Sequence, residues 1–330
     1  MGWTHKTLLK FKPYHYLIEW TKVIIFPGFS PLPLYTIGVF FFQEIKKESL
    51  TNKASSLAYN FMLAIFPGML FLFTLIPYIP IANFQDQLIS LIALVLPHNA
   101  YMAVESTLQD IVKKQNGGLL SFGFFAALYF ATNGVNKLMQ AFNKASLTLE
   151  TRSWFKRRLM ALNLTLLMVS ALIVGLAIIT IGEYILNLLK SELQLKDSFW
   201  IYVLMFSRWI IMIAIYLITI SILYRYGPAN PKRWQLFSAG AWLATFLAIL
   251  TSLGFAFYIN NFGNYNKLYG SIGTLIVIMI WLYLNSLIIL IGFELNASID
   301  LSKKSIKIVK PVFNSFKNQS PDIENQQRDN

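Results

Sequence analysis

Six stretches of this 330-residue chain are almost wholly apolar, and its lysines and arginines gather between them. The stretches run over residues 56–79, 119–142, 159–189, 199–224, 235–258 and 269–297. A helix that crosses a bilayer needs about 20 mainly apolar residues. Lipid offers the backbone no hydrogen-bond partner, so each run has to satisfy its own N–H and C=O groups, which a helix does within one segment. The pattern predicts an all-α, polytopic membrane helix bundle with six transmembrane helices.

The intervals complete the layout. LPLYTIGVFFFQEIKKES (Leu32–Ser49) has an apolar first half and a charged end. It is too short to span and predicts an amphipathic N-terminal helix, either lying in the interface or packed under the bundle. YLIEWTKVIIF has a similar character. The loop Pro80–Gly118 holds two short helical patterns. Asn83 caps the first, with Leu88, Leu91, Ile92 and Val95 on one face up to Pro97, and Asn99 caps the second, with Tyr101, Val104, Leu108 and Ile111 aligned. From about Ser315 the chain is polar and low in aromatics, the composition of a disordered segment. The predicted organisation is a cytoplasmic or interfacial segment, 1–52, a membrane domain, 53–300, with an external cap at 80–118, and a tail, 301–330, basic and then disordered. The first residues lack the apolar run and cleavage site of a secretory signal, so the first span is expected to drive insertion.

Charge then fixes the orientation. The intervals before the first span, after the second and fourth, and after the sixth hold 21 Lys and Arg; the opposite loops hold five. Basic residues collect on the cytoplasmic side, so both termini are predicted inside (N-in, C-in), in a bacterial inner (cytoplasmic) membrane. The formal charge of +13 is absorbed by this bias and needs no nucleic acid as partner. Only 13% of residues are charged, against about 25% in soluble proteins. The chain has no cysteine, which removes disulfides, zinc–thiolate centres and Cys nucleophiles. Its three histidines, His5, His15 and His98, are scattered. No metalloprotease, phosphate-loop or nucleophile-elbow spacing occurs. No cofactor, metal site or catalytic residue is expected, and the chain reads as a non-enzyme.

Polar side chains inside a span are candidates for function, with helix–helix adhesion as the plain alternative. The second span ends ATNGVNKLMQAFNK, where Asn133, Asn136, Lys137, Gln140 and Lys144 recur at three- and four-residue spacing and form a stripe. Glu294, followed by Asn296, reaches the same depth on the sixth span, and the two are expected to meet, with Lys137 as the partner of Glu294. Glu183 near the outer end of the third span and Arg208 in the fourth are placed opposite each other by a hairpin turning near Gln194. Asn60 and Pro67 lie in the first span, where the proline removes an amide and predicts a kink near mid-membrane. Gly240, Ala244, Ala248, Ser252 and Ala256 set small residues every four positions along the fifth span, a packing signal.

Three stretches carry a family resemblance. ASSLAYNFMLAIFPGMLFL is similar to an Ala-rich "LAY…(S/A)xxP" opening, and GVNKLMQAFNKA to an "LMxAxNxxY" region, here followed by Ala145-Ser146 in place of the usual aromatic. The sixth span matches "YGxxGxxxxxxxWxYxxxxxxLxGxExN" at Tyr269, Gly270, Gly273, Trp281, Tyr283, Leu290, Gly292, Glu294 and Asn296. Over about Lys46 to Asp300 the chain resembles the YihY/BrkB family of bacterial inner-membrane proteins. The resemblance implies six spans and a plasma-membrane location. It implies no settled activity: relatives carry names such as ribonuclease BN and virulence factor, and one is linked to export of lipopolysaccharide precursors.

These readings lead to a transporter or a factor that translocates a lipid or envelope precursor, with membrane lipids or a lipid-like molecule as partner. Its expected path runs between the first, second and sixth spans, lined by Asn60, Asn133, Lys137 and Glu294. A non-transporting scaffold whose polar residues only staple helices is the alternative, and a membrane ribonuclease is a distant third. A homo-oligomer is left open.

Overall fold

The computed structural model describes residues 20–22, 33–47, 50–80, 83–95, 98–192, 199–230, 236–262 and 271–317. Among them the chain forms α1 (Leu34–Lys47), α2 (Leu50–Leu75), α3 (Phe84–Val95), α4 (His98–Lys113), α5 (Gly117–Ala145), α6 (Trp154–Glu192), α7 (Phe199–Tyr226), α8 (Ala239–Phe262) and α9 (Ser271–Lys317). Six of these, α2 and α5 to α9, are long and apolar enough to cross a membrane. Their positions agree with the six predicted runs. Two go further than predicted: α6 has 39 residues and α9 has 47. At 1.5 Å per residue α9 is about 70 Å long, more than twice a hydrocarbon core of about 30 Å.

Consecutive spans pack side by side from α5 to α9, α2 packs on α5, and α9 closes the ring on α2 while also touching α5. Large aliphatic side chains cover the outside of this ring, as lipid exposure requires. Its interior is a continuous core through Leu57, Val135, Leu138, Leu164, Leu217, Ile220, Ala244 and Ile289. Close approach comes from small residues. A Cβ at Gly123 would lie 2.9 Å from the Phe71 backbone nitrogen, and one at Gly240 would lie 1.9 Å from the Gly292 carbonyl oxygen. The small-residue stripe of α8 is therefore used at Gly240, Ala244 and Ala248, which are buried, while Ser252 and Ala256 are exposed. Toward the end of the bundle that carries the basic loops, Phe142 stacks on Phe293 at 4.1 Å, and Tyr224 meets both rings edge-on. The Tyr224 hydroxyl donates to the Ile289 carbonyl at 2.7 Å.

The amphipathic helix α1 packs under the bundle against α9: Ile37 is buried with Ile299, beside Leu295 and Ala239. At the other end α3 and α4 form the cap. Ile76, Ile89 and Val112 make its small core, with Phe73, Phe84, Leu88 and Tyr101 packed around them. The α4 face thus points inward through Val112. Asn99 does not cap α4; the helix begins one residue earlier, at His98. Asn116 caps α5, its side chain accepting from the Leu119 amide at 3.0 Å. Pro67 sits inside α2, which continues through it as one helix. Pro97 and the segment after Lys317 lie outside the described residues.

Candidate functional site

Two stripes at helical spacing build an open groove on the bundle. Phe122, Phe125, Ala126 and Tyr129 share one face of α5, and Phe155, Arg158, Leu159 and Leu162 share one face of α6. Where the helices diverge, these residues, with Trp154 and Thr132, line an outward-opening groove of about 740 Å³. Phe122 and Phe125 are about two-thirds exposed and Trp154 is 69% exposed, so the groove opens on the outer surface of the bundle. Its wall is apolar apart from one cation. The Arg158 guanidinium donates through Nη1 to Asn133 Oδ1 at 2.7 Å and lies 4.8 Å from the centre of the Tyr129 ring. Both contacts fix the charge at the basic-loop end of the groove.

The start of α6, and with it Arg158, is held by a clamp in the 146–153 turn. Arg152 donates to both carboxylate oxygens of Glu150, at 2.7 Å and 2.9 Å, and to the Gly227 carbonyl at the end of α7 at 3.0 Å. Asn143, buried at the end of α5, donates to Glu150 Oε2 at 2.7 Å and accepts from the Ala229 amide at 2.7 Å. The hydrogen bond from Arg152 holds the Glu150 carboxyl below its ordinary range, and the Asn143 amide acts in the same direction. The chain reverses here with Leu147 at φ 49°, a left-handed conformation that a branched side chain rarely adopts. Three helices are thereby tied at one point.

The candidates read from the sequence fall in separate places. Asn133 faces α6 and Arg158, not the sixth span. Lys137, Gln140 and Lys144 are exposed. Asn136 is half-buried, with its Oδ1 buried and given no hydrogen bond among the described residues. Glu294 is buried, 2% exposed, and Lys53 on α2 feels its charge together with that of Lys144, while Lys137 is exposed. Asn296 ties α9 to α8: its Oδ1 accepts from the Gly240 amide at 2.8 Å and its Nδ2 donates to Ser238 Oγ at 2.7 Å. Asn60 donates to the Ser56 carbonyl one turn back in its own helix at 2.7 Å. Arg208 lies against α6, its Cδ 3.0 Å from where a Cβ on Gly182 would stand; the Glu183 side chain lies outside the described residues. The structure does not gather Asn60, Asn133, Lys137 and Glu294 into one lining between α2, α5 and α9.

The sequence reading passed over Arg158, Glu150, Asn143 and Lys53 as functional candidates. Arg158 and Lys53 belong to basic clusters that the topology bias already accounts for, and Glu150 lies in a loop. Position gave no signal either: the apolar run begins at residue 159, one past Arg158, whereas the helix begins at Trp154.

The family model described as virulence factor BrkB matches residues 41–310. The chain belongs to this family. Among its relatives it is similar to the "Putative ribonuclease-like protein YfkH" of Bacillus subtilis (strain 168), 37% identical over 253 residues, which cover 77% of this chain and 91% of that protein. It is also similar to a "UPF0761 membrane protein" of Tolumonas auensis, 27% identical over 79% of this chain and 84% of the relative. A further relative is the "UPF0761 membrane protein NTHI0384" of Haemophilus influenzae, 23% identical over 82% and 97%. No solved structure matches this BrkB-family chain. The match begins within α1 and ends within α9, so the groove, the clamp, Lys53 and Glu294 all lie in the part held in common with the family.

Proposed function

We propose that this chain handles a lipid-like molecule, a membrane lipid or a lipid-linked envelope precursor, in a bacterial inner membrane, taking it from the bilayer through the groove between α5 and α6. In this reading the basic loops face the cytoplasm. One observation carries it: an apolar cleft of about 740 Å³ that opens sideways on the bundle surface and bears a single cation, Arg158, held in place at one end. A site for a water-soluble solute would be lined by polar groups and would open at an end of the bundle. The groove replaces the path between the first, second and sixth spans expected from the sequence, where Glu294 and Asn296 serve packing contacts.

A second reading, a non-transporting scaffold, is favoured by the work that Asn296 and Asn143 do as staples between helices. One relative carries ribonuclease-like in its name. Among the described residues no three His, Asp or Glu side chains come together as a metal site would need.

The purified chain, reconstituted in vesicles, tests the first reading by the movement of a fluorescent lipid between leaflets. Protein-dependent movement at least about tenfold above empty vesicles, lost in Ala126→Trp, which fills the groove, is the expected result. No protein-dependent movement of any lipid, or an unchanged rate in a folded Ala126→Trp variant, would leave the scaffold.

A further inference from the structure

The groove has the dimensions and the charge to name its occupant, and this inference rests on the reading of the groove as a lipid seat. From Asn133 to Phe122 the α5 wall covers eleven residue steps, about 16 Å at 1.5 Å per residue. Half of a hydrocarbon core is about 15 Å. The groove therefore extends over about one leaflet, with its aromatic wall at acyl-chain depth and Arg158 at the headgroup end. Trp154 marks that same level, as tryptophans do at the membrane–water boundary.

The polar end is built for an anion. In the segment that opens α6, Glu150 is neutralised by Arg152, which leaves Lys156, Arg157 and Arg158 within three consecutive positions. Asn133 takes one N–H of the Arg158 guanidinium through Nη1 and the Tyr129 carbonyl accepts a longer one from Nη2 at 3.5 Å, with the plane held beside the Tyr129 ring, which leaves the other N–H groups for an anion. A guanidinium has five N–H donors in a fixed fork that matches a phosphate.

A second copy of the chain is a poorer occupant. Across the six spans the carboxylates are Glu183 and Glu192, 25 or more residues along α6 from Arg158, and Glu294 and Asp300 on α9. Glu294 is buried and Asp300, in the interior of α9, is half-buried. A neighbouring span laid in the groove would bring Arg158 no exposed acid. A phospholipid brings both the acyl chain for the aromatic wall and the anion for the guanidinium.

We infer that the groove between α5 and α6 binds an anionic phospholipid of the leaflet on the basic-loop side, its phosphate on Arg158 and an acyl chain along Phe125, Tyr129 and Phe155.

The test uses the full chain in nanodiscs of phosphatidylcholine doped with a brominated lipid, either phosphatidylglycerol or phosphatidylcholine. Quenching is read as the part of tryptophan emission that is lost in Trp154→Phe. The wild-type chain is expected to favour brominated phosphatidylglycerol about fivefold, the effect of one basic residue at an anionic headgroup. Arg158→Gln is expected to fall to about twofold or less, and Lys156→Gln, outside the groove wall, to keep the preference. Ala126→Trp is expected to abolish quenching of Trp154 by either lipid while its melting curve shows it folded, and it serves where Arg158→Gln does not fold. Equal quenching by the two lipids in the wild-type chain, still blocked by Ala126→Trp, overturns the anion site and leaves the lipid seat standing. No quenching by either lipid, with a dimer in the nanodisc that Ala126→Trp dissociates, overturns both.

Discussion

Gly292→Ala puts the packing of the basic end under direct strain. A Cβ at Gly292 would lie 2.4 Å from the Tyr224 hydroxyl oxygen, 2.6 Å from the Gly240 carbonyl oxygen and 2.7 Å from the Ala244 Cβ. Carbon contacts settle at about 3.5–4.0 Å, so α9 would have to withdraw from α7 and α8 by about 1 Å. Overpacking of this kind costs about 1–3 kcal/mol. The retreat also removes the hydrogen bond from Tyr224 to the Ile289 carbonyl, worth about 1 kcal/mol. Alanine returns about 0.5–1 kcal/mol through its better helix propensity. The net loss is about 1.5–3 kcal/mol. Gly254→Ala is the matched control: a Cβ there meets nothing within 4 Å, so only the propensity gain is left. Unfolding by SDS titration in mixed micelles, followed by tryptophan fluorescence, measures both. A Gly292→Ala variant as stable as Gly254→Ala would show that α8 and α9 do not approach at Gly240 and Gly292, and would refute the packing.

Three further outcomes follow. The Glu150 carboxyl is held below its ordinary value of 4.5, chiefly by Arg152, so the stability it contributes is fully present above that value and is lost as pH falls through the lower, folded-state value. Glu150→Gln is expected to lower the melting temperature at pH 7 and to flatten its fall below about pH 4.5; an acid limb parallel to that of the wild type would contradict the clamp. Asn296→Ala leaves the Gly240 amide without its acceptor and is expected to cost about 1–3 kcal/mol in the same SDS titration; a neutral effect would exclude the tie between α8 and α9. Lys53 lies within electrostatic reach of buried Glu294, so Lys53→Met should destabilise by on the order of 2–3 kcal/mol, with much of the loss recovered in Lys53→Met/Glu294→Gln; a double variant no better than the single would remove the coupling.

The spans were legible because a run of about 20 apolar residues has few alternatives. The two cap helices were legible as helices, but their buried faces were not: the cap core runs through Ile89 and Val112, outside the apolar faces read from the sequence. Helix ends were harder to place: hydropathy marks where lipid stops, whereas α6 and α9 continue as helices beyond that level. The site was legible only residue by residue. Asn133 and Glu294 were marked by their polarity, but partner choice depends on the rotation and height of neighbouring helices, which composition does not encode. The contact between Arg158 and Asn133 sets α6 to begin near the level of Lys137, four residues along α5. Lys137, Gln140 and Lys144 lie at or beyond that level and are exposed, so no buried partner is required. Arg158 was hidden by the same bias that fixed the orientation, since a basic residue at the start of a span has a sufficient explanation without a ligand.

That the α5–α6 groove opens to lipid and not to water is the claim on which the functional account stands. The chain has no cysteine of its own, so Phe125→Cys carries a single nitroxide, attached in detergent before reconstitution. Collision accessibility by electron paramagnetic resonance should then show relaxation by oxygen exceeding that by a water-soluble nickel complex, with the order reversed for a label at Leu149→Cys in the basic turn. A label at position 125 that the nickel complex reaches as readily as one at 149 would mean a water-filled cleft and would contradict the account.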